Sequence, residues 1–157
     1  MAKNKSPDRQ IAAQNRKARH DYFIDENIEA GLVLQGSEVK SLRSGQGSLV
    51  DAWAGEKDNE LWMYSAYIPQ YESAHEPNYI SRRPRKILLH KREMNRLLAS
   101  IKREGVTLVP LSIYFNNRGI AKVDLGIARG KRKYDKRQTE KKRDWDRQRS
   151  RLLREKG

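Results

Sequence analysis

Apolar side chains recur along this chain in two rhythms, and the rhythms divide it into elements. Met94, Leu97, Leu98 and Ile101 stand three, one and three residues apart, the spacing of one helical face. Bases and Glu93 take the opposite face and Gly105 supplies a stop, so Lys91–Glu104 is predicted to be a helix. The period then drops to two. Val109, Leu111, Ile113 and Phe115 make one alternating row, and Ala121, Val123, Leu125 and Ile127 make another. Asn116-Asn117-Arg118-Gly119 between them predicts a hairpin turn.

Upstream the pattern is more broken. Asp21–Ile24 is predicted as a first strand, continued by Gly31–Leu34 after an irregular break. Gly36–Leu42 carries Val39 and Leu42 one helical turn apart and predicts a short helix across the mouth of a sheet. Ser48–Ala54 and Leu61–Tyr67 are predicted strands, joined as a hairpin by the polar residues 55–59. Pro69, Pro77 and Pro84 mark 68–85 as a long loop. Residues 1–18 are polar and are expected to be mobile, or a short helix from Ser6. Antiparallel strands with few helices predict a mainly β fold, an OB-type barrel of about six strands with two or three short helices. A split α+β sheet is the competing architecture. The expected division is a binding domain over 1–129 and a basic tail over 130–157.

Charge changes this picture more than composition does. The formal net charge is +14, yet residues 1–19 carry +5 and residues 129–157 carry +9, so the body between them is neutral. Charge confined to the two ends points to a polyanionic partner. Tyr64, Tyr67, Tyr71 and Tyr79 are read as core or loop anchors.

Catalytic chemistry is poorly represented. Without cysteine the chain has no disulfide, thiolate metal site or cysteine nucleophile. His20, His75 and His90 lack partners at metal-ligand spacing, and there is no nucleophile elbow or phosphate-binding glycine loop. His75-Glu76 is the one nominal acid–base pair, and it lies in a proline-bearing loop. The expectation is a binding protein, with no enzyme activity, no cofactor and no metal. No apolar run reaches the roughly 20 residues of a membrane span, and the start lacks a signal-peptide stretch, so a cytoplasmic, monomeric protein is expected.

RNA binding needs cations that displace counterions and flat groups that stack on unpaired bases. Arg16, Lys17 and Arg19 supply cations at one end, and Lys131, Arg132, Lys133, Lys136 and Arg137 at the other, with Tyr134 among the latter. The tail beyond Arg129 has few large apolar residues, but Trp145, Arg149 and Leu152 share a helical face. It is expected to be disordered when free and helical against a partner.

Four segments carry a resemblance: 15–24 (NRKARHDYFI), 29–43 (EAGLVLQGSEVKSLR), 85–91 (RKILLHK) and 126–137 (GIARGKRKYDKR). In this order the chain resembles the SmpB (SsrA-binding protein) family of bacterial trans-translation, from about residue 9 to the end. The resemblance implies binding to the tRNA-like domain of transfer-messenger RNA and delivery of that RNA to ribosomes stalled on messages without a stop codon. By position it implies an RNA surface at Asn15, Glu29, Lys40, Leu88, Lys122 and Gly130. Arg43 lies in the second matching segment and is grouped with them. Asp135, Lys136 and Arg137 match the start of the family's ribosome-probing tail and Trp145 its aromatic anchor. The tail's implied target is ribosomal RNA of the decoding site and the empty mRNA channel. Tyr134 stands where family members often carry histidine, so the ring is kept.

The physical chemistry of these residues differs. Asn15 offers donors and acceptors, and Lys40 and Lys122 suit phosphates. Glu29 suits a base amino group or a neighbouring cation. Leu88 is as readily a core residue as one packed on a base. A ribosomal assembly protein and an RNA-processing enzyme using His75, Glu76 or His90 are the competing functions.

Overall fold

The computed structural model describes residues 10–129 and 143–153 of the 157-residue chain. Its elements in order are β1 (Gln10–Gln14), α1 (Ala18–Asp21), β2 (Ile24–Leu32), α2 (Gly36–Arg43), β3 (Trp53–Lys57), β4 (Glu60–Tyr64), β5 (Arg85–Leu88), α3 (Lys91–Glu104), β6 (Thr107–Phe115) and β7 (Ala121–Ala128). The fold is mainly β and every pairing is antiparallel, as expected. The sheet order is β1-β6-β3-β4-β5-β2-β7, and β7 returns to pair with β6, so the hydrogen-bonded ring closes on itself. Closure leaves few unpaired strand edges. Leu61, Met63, Ile87, Leu108, Val123 and Leu125 fill the interior.

The two strongest periodic signals fold as expected. Helix α3 spans the predicted residues, buries Leu97 and Leu98, and ends at Gly105 with φ +61°, a left-handed conformation that glycine adopts without strain. Strand β7 points Val123, Leu125 and Ile127 into the core.

Strand β6 departs from its simple alternation. Pro110 pairs with Leu125 and Ser112 with Asp124, so Leu111 is an extra residue in the ladder. One extra residue reverses the facing of everything beyond it. Ile113 and Phe115 therefore enter the main core, while Val109 and Leu111 lie outside the ring against Ala18, Tyr22 and Ile24. Pro110, which has no N–H to give to a ladder, sits where the pairing is irregular.

Other boundaries are corrected. The N-terminal segment contributes a strand, because Gln10–Gln14 pairs with the far half of β6 and buries Ala13. The expected helix from Ser6 starts outside the described residues. Strand β2 runs unbroken from Ile24 to Leu32, with a short helix α1 before it where a strand from Asp21 was expected. Its polar residues are exposed or half-buried and held by pairing with β7 alone, which is why they look like a break. Ser48 makes only an isolated bridge to Tyr67, and β3 begins at Trp53. Asp58 and Asn59, both at positive φ, make the tight β3–β4 turn. Strand β5 ends the predicted long loop; its four residues are too few to show a period.

A buried ion pair fastens α2 to β5. Arg85 and Glu38 are both fully buried, with Arg85 Nε donating to Glu38 Oε2 at 2.7 Å. Arg85 Nη1 donates to the Ala66 carbonyl at 2.7 Å and Nη2 to that of Ser81 at 3.1 Å, and Arg83 reaches Glu38 Oε1 at 2.5 Å. The Gln35 backbone N–H donates to the same carboxylate at 2.8 Å, capping the start of α2.

Residues 143–153 form a helix whose residues are all exposed, Trp145, Leu152 and Leu153 among them. Among the described residues no helix is long and apolar enough to cross a membrane.

Candidate nucleic-acid interface

The C-terminal end of β2 has a neighbour on each side. Gly31 lies opposite Leu88 of β5 and opposite Lys122 of β7. The lack of a side chain matters here, since a Cβ on Gly31 would come within 3.3 Å of the Leu88 Cβ. Glu29, two residues earlier, points to the same outer face of the sheet. Glu29, Leu88 and Lys122, expected from three distant parts of the sequence, thus line one concavity of about 540 Å³. His90, Glu93 and Ile120 complete its rim.

Leu88 is 49% exposed, so it belongs to this surface and not to the core. Ile120, equally exposed, offers a second apolar contact. Glu29 accepts a hydrogen bond from the hydroxyl of Tyr114, a side chain only 1% exposed and opposite Lys122 in the β6–β7 ladder. Asn27 Nδ2 donates to both oxygens of Asp124 at 3.2 Å on the same face. The concavity therefore presents a cation, a braced acceptor and apolar area side by side. Such a set can meet a phosphate, a base amino group and a base or sugar face.

The remaining predicted residues fall into two groups around it. Lys40 and Arg43 are exposed on α2. Arg43 stacks its guanidinium 4.3 Å from the Phe115 ring centroid, donates to Gln10 Oε1 at 3.2 Å and closes on Gly119, next to Ile120. The Lys40 ammonium lies 5.9 Å from the Tyr71 ring centroid. Arg16, Lys17 and Arg19 are exposed around α1, which Ala18 seats on the outer face of β6 through Val109 and Leu111. Asn15 is different. It is buried, and its Nδ2 donates to the carbonyl of Leu49 at 3.1 Å and, more weakly, to that of Pro110 at 3.5 Å. Its position ties the end of β1 to the irregular part of β6.

Gly130, Lys131, Lys133, Tyr134, Asp135, Lys136 and Arg137 lie outside the described residues. Just before them, Arg129 joins Glu104 at 2.9 Å and Asp25 at 3.3 Å, where β7 ends beside α3 and β2. These contacts hold its guanidinium pKa above the ordinary value, chiefly through the Glu104 hydrogen bond. His75 and Glu76, the nominal acid–base pair, are exposed in the 68–85 loop. Among the described residues no three His, Cys, Asp or Glu side chains are grouped to hold a metal ion.

Sequence reasoning missed Tyr114, Gly31, Glu38 and Arg85 as individual contributors. Tyr114 was accessible in principle, because counting outward from the 116–119 turn sets it opposite Lys122. Arg85 carried no such signal, because it shares the inner face with Ile87 in a strand of only four residues.

Fold and site together define a small, basic, antiparallel β protein with an open concavity on the outer surface of its ring. The family model for SmpB protein matches residues 12–155. The chain belongs to the SmpB family. It is 52% identical to the SsrA-binding protein of Methylobacterium nodulans over 157 residues, the whole of both chains. It is 54% identical to that of Paramagnetospirillum magneticum over 147 residues, 94% of this chain and 96% of the relative. It also matches a chain in the solved structure "tmRNA-SmpB: a journey to the center of the bacterial ribosome" at 53% identity and a TM-score of 0.62. That match covers 74% of this chain and 82% of the other.

Proposed function

We propose that this protein binds the tRNA-like domain of transfer-messenger RNA and accompanies that RNA to ribosomes stalled on messages lacking a stop codon. The observation that carries the reading is the convergence of Glu29, Leu88 and Lys122 on one outer concavity, flanked by the cations of α1 and α2. The family and its relatives named as SsrA-binding proteins support it. In this reading residues 1–129 are the RNA-binding body, with Asn15 bracing β1 within it, and Lys40, Arg43, Arg16, Lys17 and Arg19 meet phosphates. The protein acts as a binding partner in the cytoplasm, as a single copy, without a cofactor and without turning over the RNA.

Residues 130–157 are the ribosome probe. Gly130 lets the chain turn out of the body, Lys131, Lys133 and Tyr134 extend the RNA contacts, and Asp135, Lys136 and Arg137 begin the ribosomal segment. The exposed apolar face of Trp145 and Leu152 is left for ribosomal RNA in an empty mRNA channel. Order gained on binding would report that no message is present.

Two measurements test this division. RNA copurifying with the full chain should be one discrete transfer-messenger species. Removing residues 131–157 should leave binding of that RNA intact and abolish tagging of stalled chains. Equal loss of both activities would sink it.

A further inference from the structure

The outer surface of the closed ring curves away from the concavity over β5 to β4 and β3. Strand register fixes this: Leu88 and Lys86 share one side of β5, Lys86 lies opposite Trp62 of β4, and Trp62 lies opposite Gly55 of β3. Two residues along, Trp53 lies opposite Tyr64 on the same side. The Trp53 and Tyr64 rings stack with centroids 4.4 Å apart and planes 24° apart. The Trp53 ring extends over Gly55, where a Cβ would come within 2.7 Å of it. Half of Trp53 nevertheless remains exposed. Trp53 stands three strand spacings and four residues along the strands from Gly31, about 20 Å, roughly the span of three nucleotides.

A tryptophan lying flat across a glycine stiffens a hairpin, and a cross-strand ring pair adds to this. That role needs an apolar cover. It does not need an indole half open to water on the outer surface of the ring. The basic side chains nearby keep the patch from being simply apolar. Lys86 sits beside Trp62 and is shared with Glu60 at 3.3 Å, and Arg82 lies 5.3 Å from the Tyr67 ring centroid and is shared with Asp51 at 3.7 Å. Aromatic faces bordered by bases are the means by which sheets hold unpaired nucleotides irrespective of sequence.

We infer that Trp53, with Trp62 and Tyr64 beside it, is a stacking platform for an unpaired base of the same RNA that occupies the Glu29–Leu88–Lys122 concavity. The inference rests on the proposed RNA face and extends it over β5 onto the β3–β4 hairpin. The platform adds affinity without reading sequence, and its contribution does not depend on counterion release.

The test compares the full chain with Trp53→Leu, Trp53→Tyr and Lys122→Ala for binding to the tRNA-like domain of transfer-messenger RNA across a salt series. Leucine keeps an apolar cover for Gly55, and tyrosine keeps a ring. Trp53→Leu should weaken binding by about fivefold or more with an unchanged salt slope, while Trp53→Tyr stays within about twofold. Lys122→Ala should lower both affinity and slope. A folded Trp53→Leu protein that binds like the parent overturns the platform and leaves the concavity standing. Loss in Trp53→Leu with none in Lys122→Ala keeps the platform and overturns the concavity. Equal loss in Trp53→Leu and Trp53→Tyr means the ring is not the cause and overturns stacking. Should Trp53→Leu fail to fold, ultraviolet crosslinking of the unaltered chain decides. A nucleotide adduct on Trp53, Trp62 or Tyr64 upholds the platform, and adducts confined to other residues overturn it.

Discussion

Arg85 and Glu38 meet with no solvent exposure on either side chain, Nη2 standing 2.5 Å from Oε2. The pair joins the strand that carries Leu88 to the helix that carries Lys40 and Arg43. It therefore sets where two groups of candidate RNA contacts stand relative to each other. Such a pair adds little net stability over an apolar replacement, but breaking it from one side strands a buried charge.

Arg85→Met is accordingly expected to destabilise the protein by about 3 kcal/mol, toward the lower end for broken buried pairs because Arg83 still reaches Glu38. Combining it with Glu38→Leu should restore part of the loss, since the stranded charge is gone. Urea unfolding midpoints of the single and double variants check this, and a double variant less stable than Arg85→Met would contradict it.

Burial pushes the Glu38 carboxyl pKa up, but the Gln35 N–H and the Arg83 and Arg85 guanidiniums outweigh burial and hold it below the ordinary 4.5. The unfolded chain then binds this proton more tightly than the folded one, so stability from Glu38 rises with pH across that interval. It is complete above the unfolded value and is lost as pH falls through the lower folded value. The stability difference between the parent and Glu38→Gln should be constant near neutrality and shrink below about pH 4.5. Denaturant unfolding at stepped pH measures it; a difference that does not change in acid assigns the acid sensitivity elsewhere.

Tyr114→Phe removes the hydroxyl that donates to Glu29 and leaves the ring in place. Because Glu29 is exposed and can take up water, the stability cost should be modest, about 1 kcal/mol. The effect on RNA should be larger in kind, since a carboxylate no longer held in place binds a base amino group less well. Affinity measured at fixed salt should fall several-fold, and Glu29→Ala should add little further loss in the Tyr114→Phe background.

Lys122 and Leu88 line the same concavity but should fail differently. Lys122→Ala is expected to reduce the slope of log affinity against log salt by about 0.7–0.9, one phosphate contact. Leu88→Ser should lower affinity at every salt concentration and leave the slope alone, because an apolar contact releases no counterions. Filter binding over a salt series separates the two.

Periodicity and charge, both local properties, were enough to place α3, β7 and the β6–β7 hairpin, the antiparallel β class, and the division into a neutral body with basic ends. Four sequence segments were enough to indicate the family. Tertiary structure alone decided the rest. The Leu111 bulge turns half of one apolar row out of the core, and nothing in a regular alternation announces a ladder irregularity. Strand β1 exists because β6 offers it an edge, and β2 is continuous because β7 pairs its polar stretch along its whole length. Glu29, Leu88 and Lys122 are dozens of residues apart in sequence and become neighbours only when the ring closes through β2. A side chain's type is written in the chain, but its facing and its company depend on register, which is a property of paired strands.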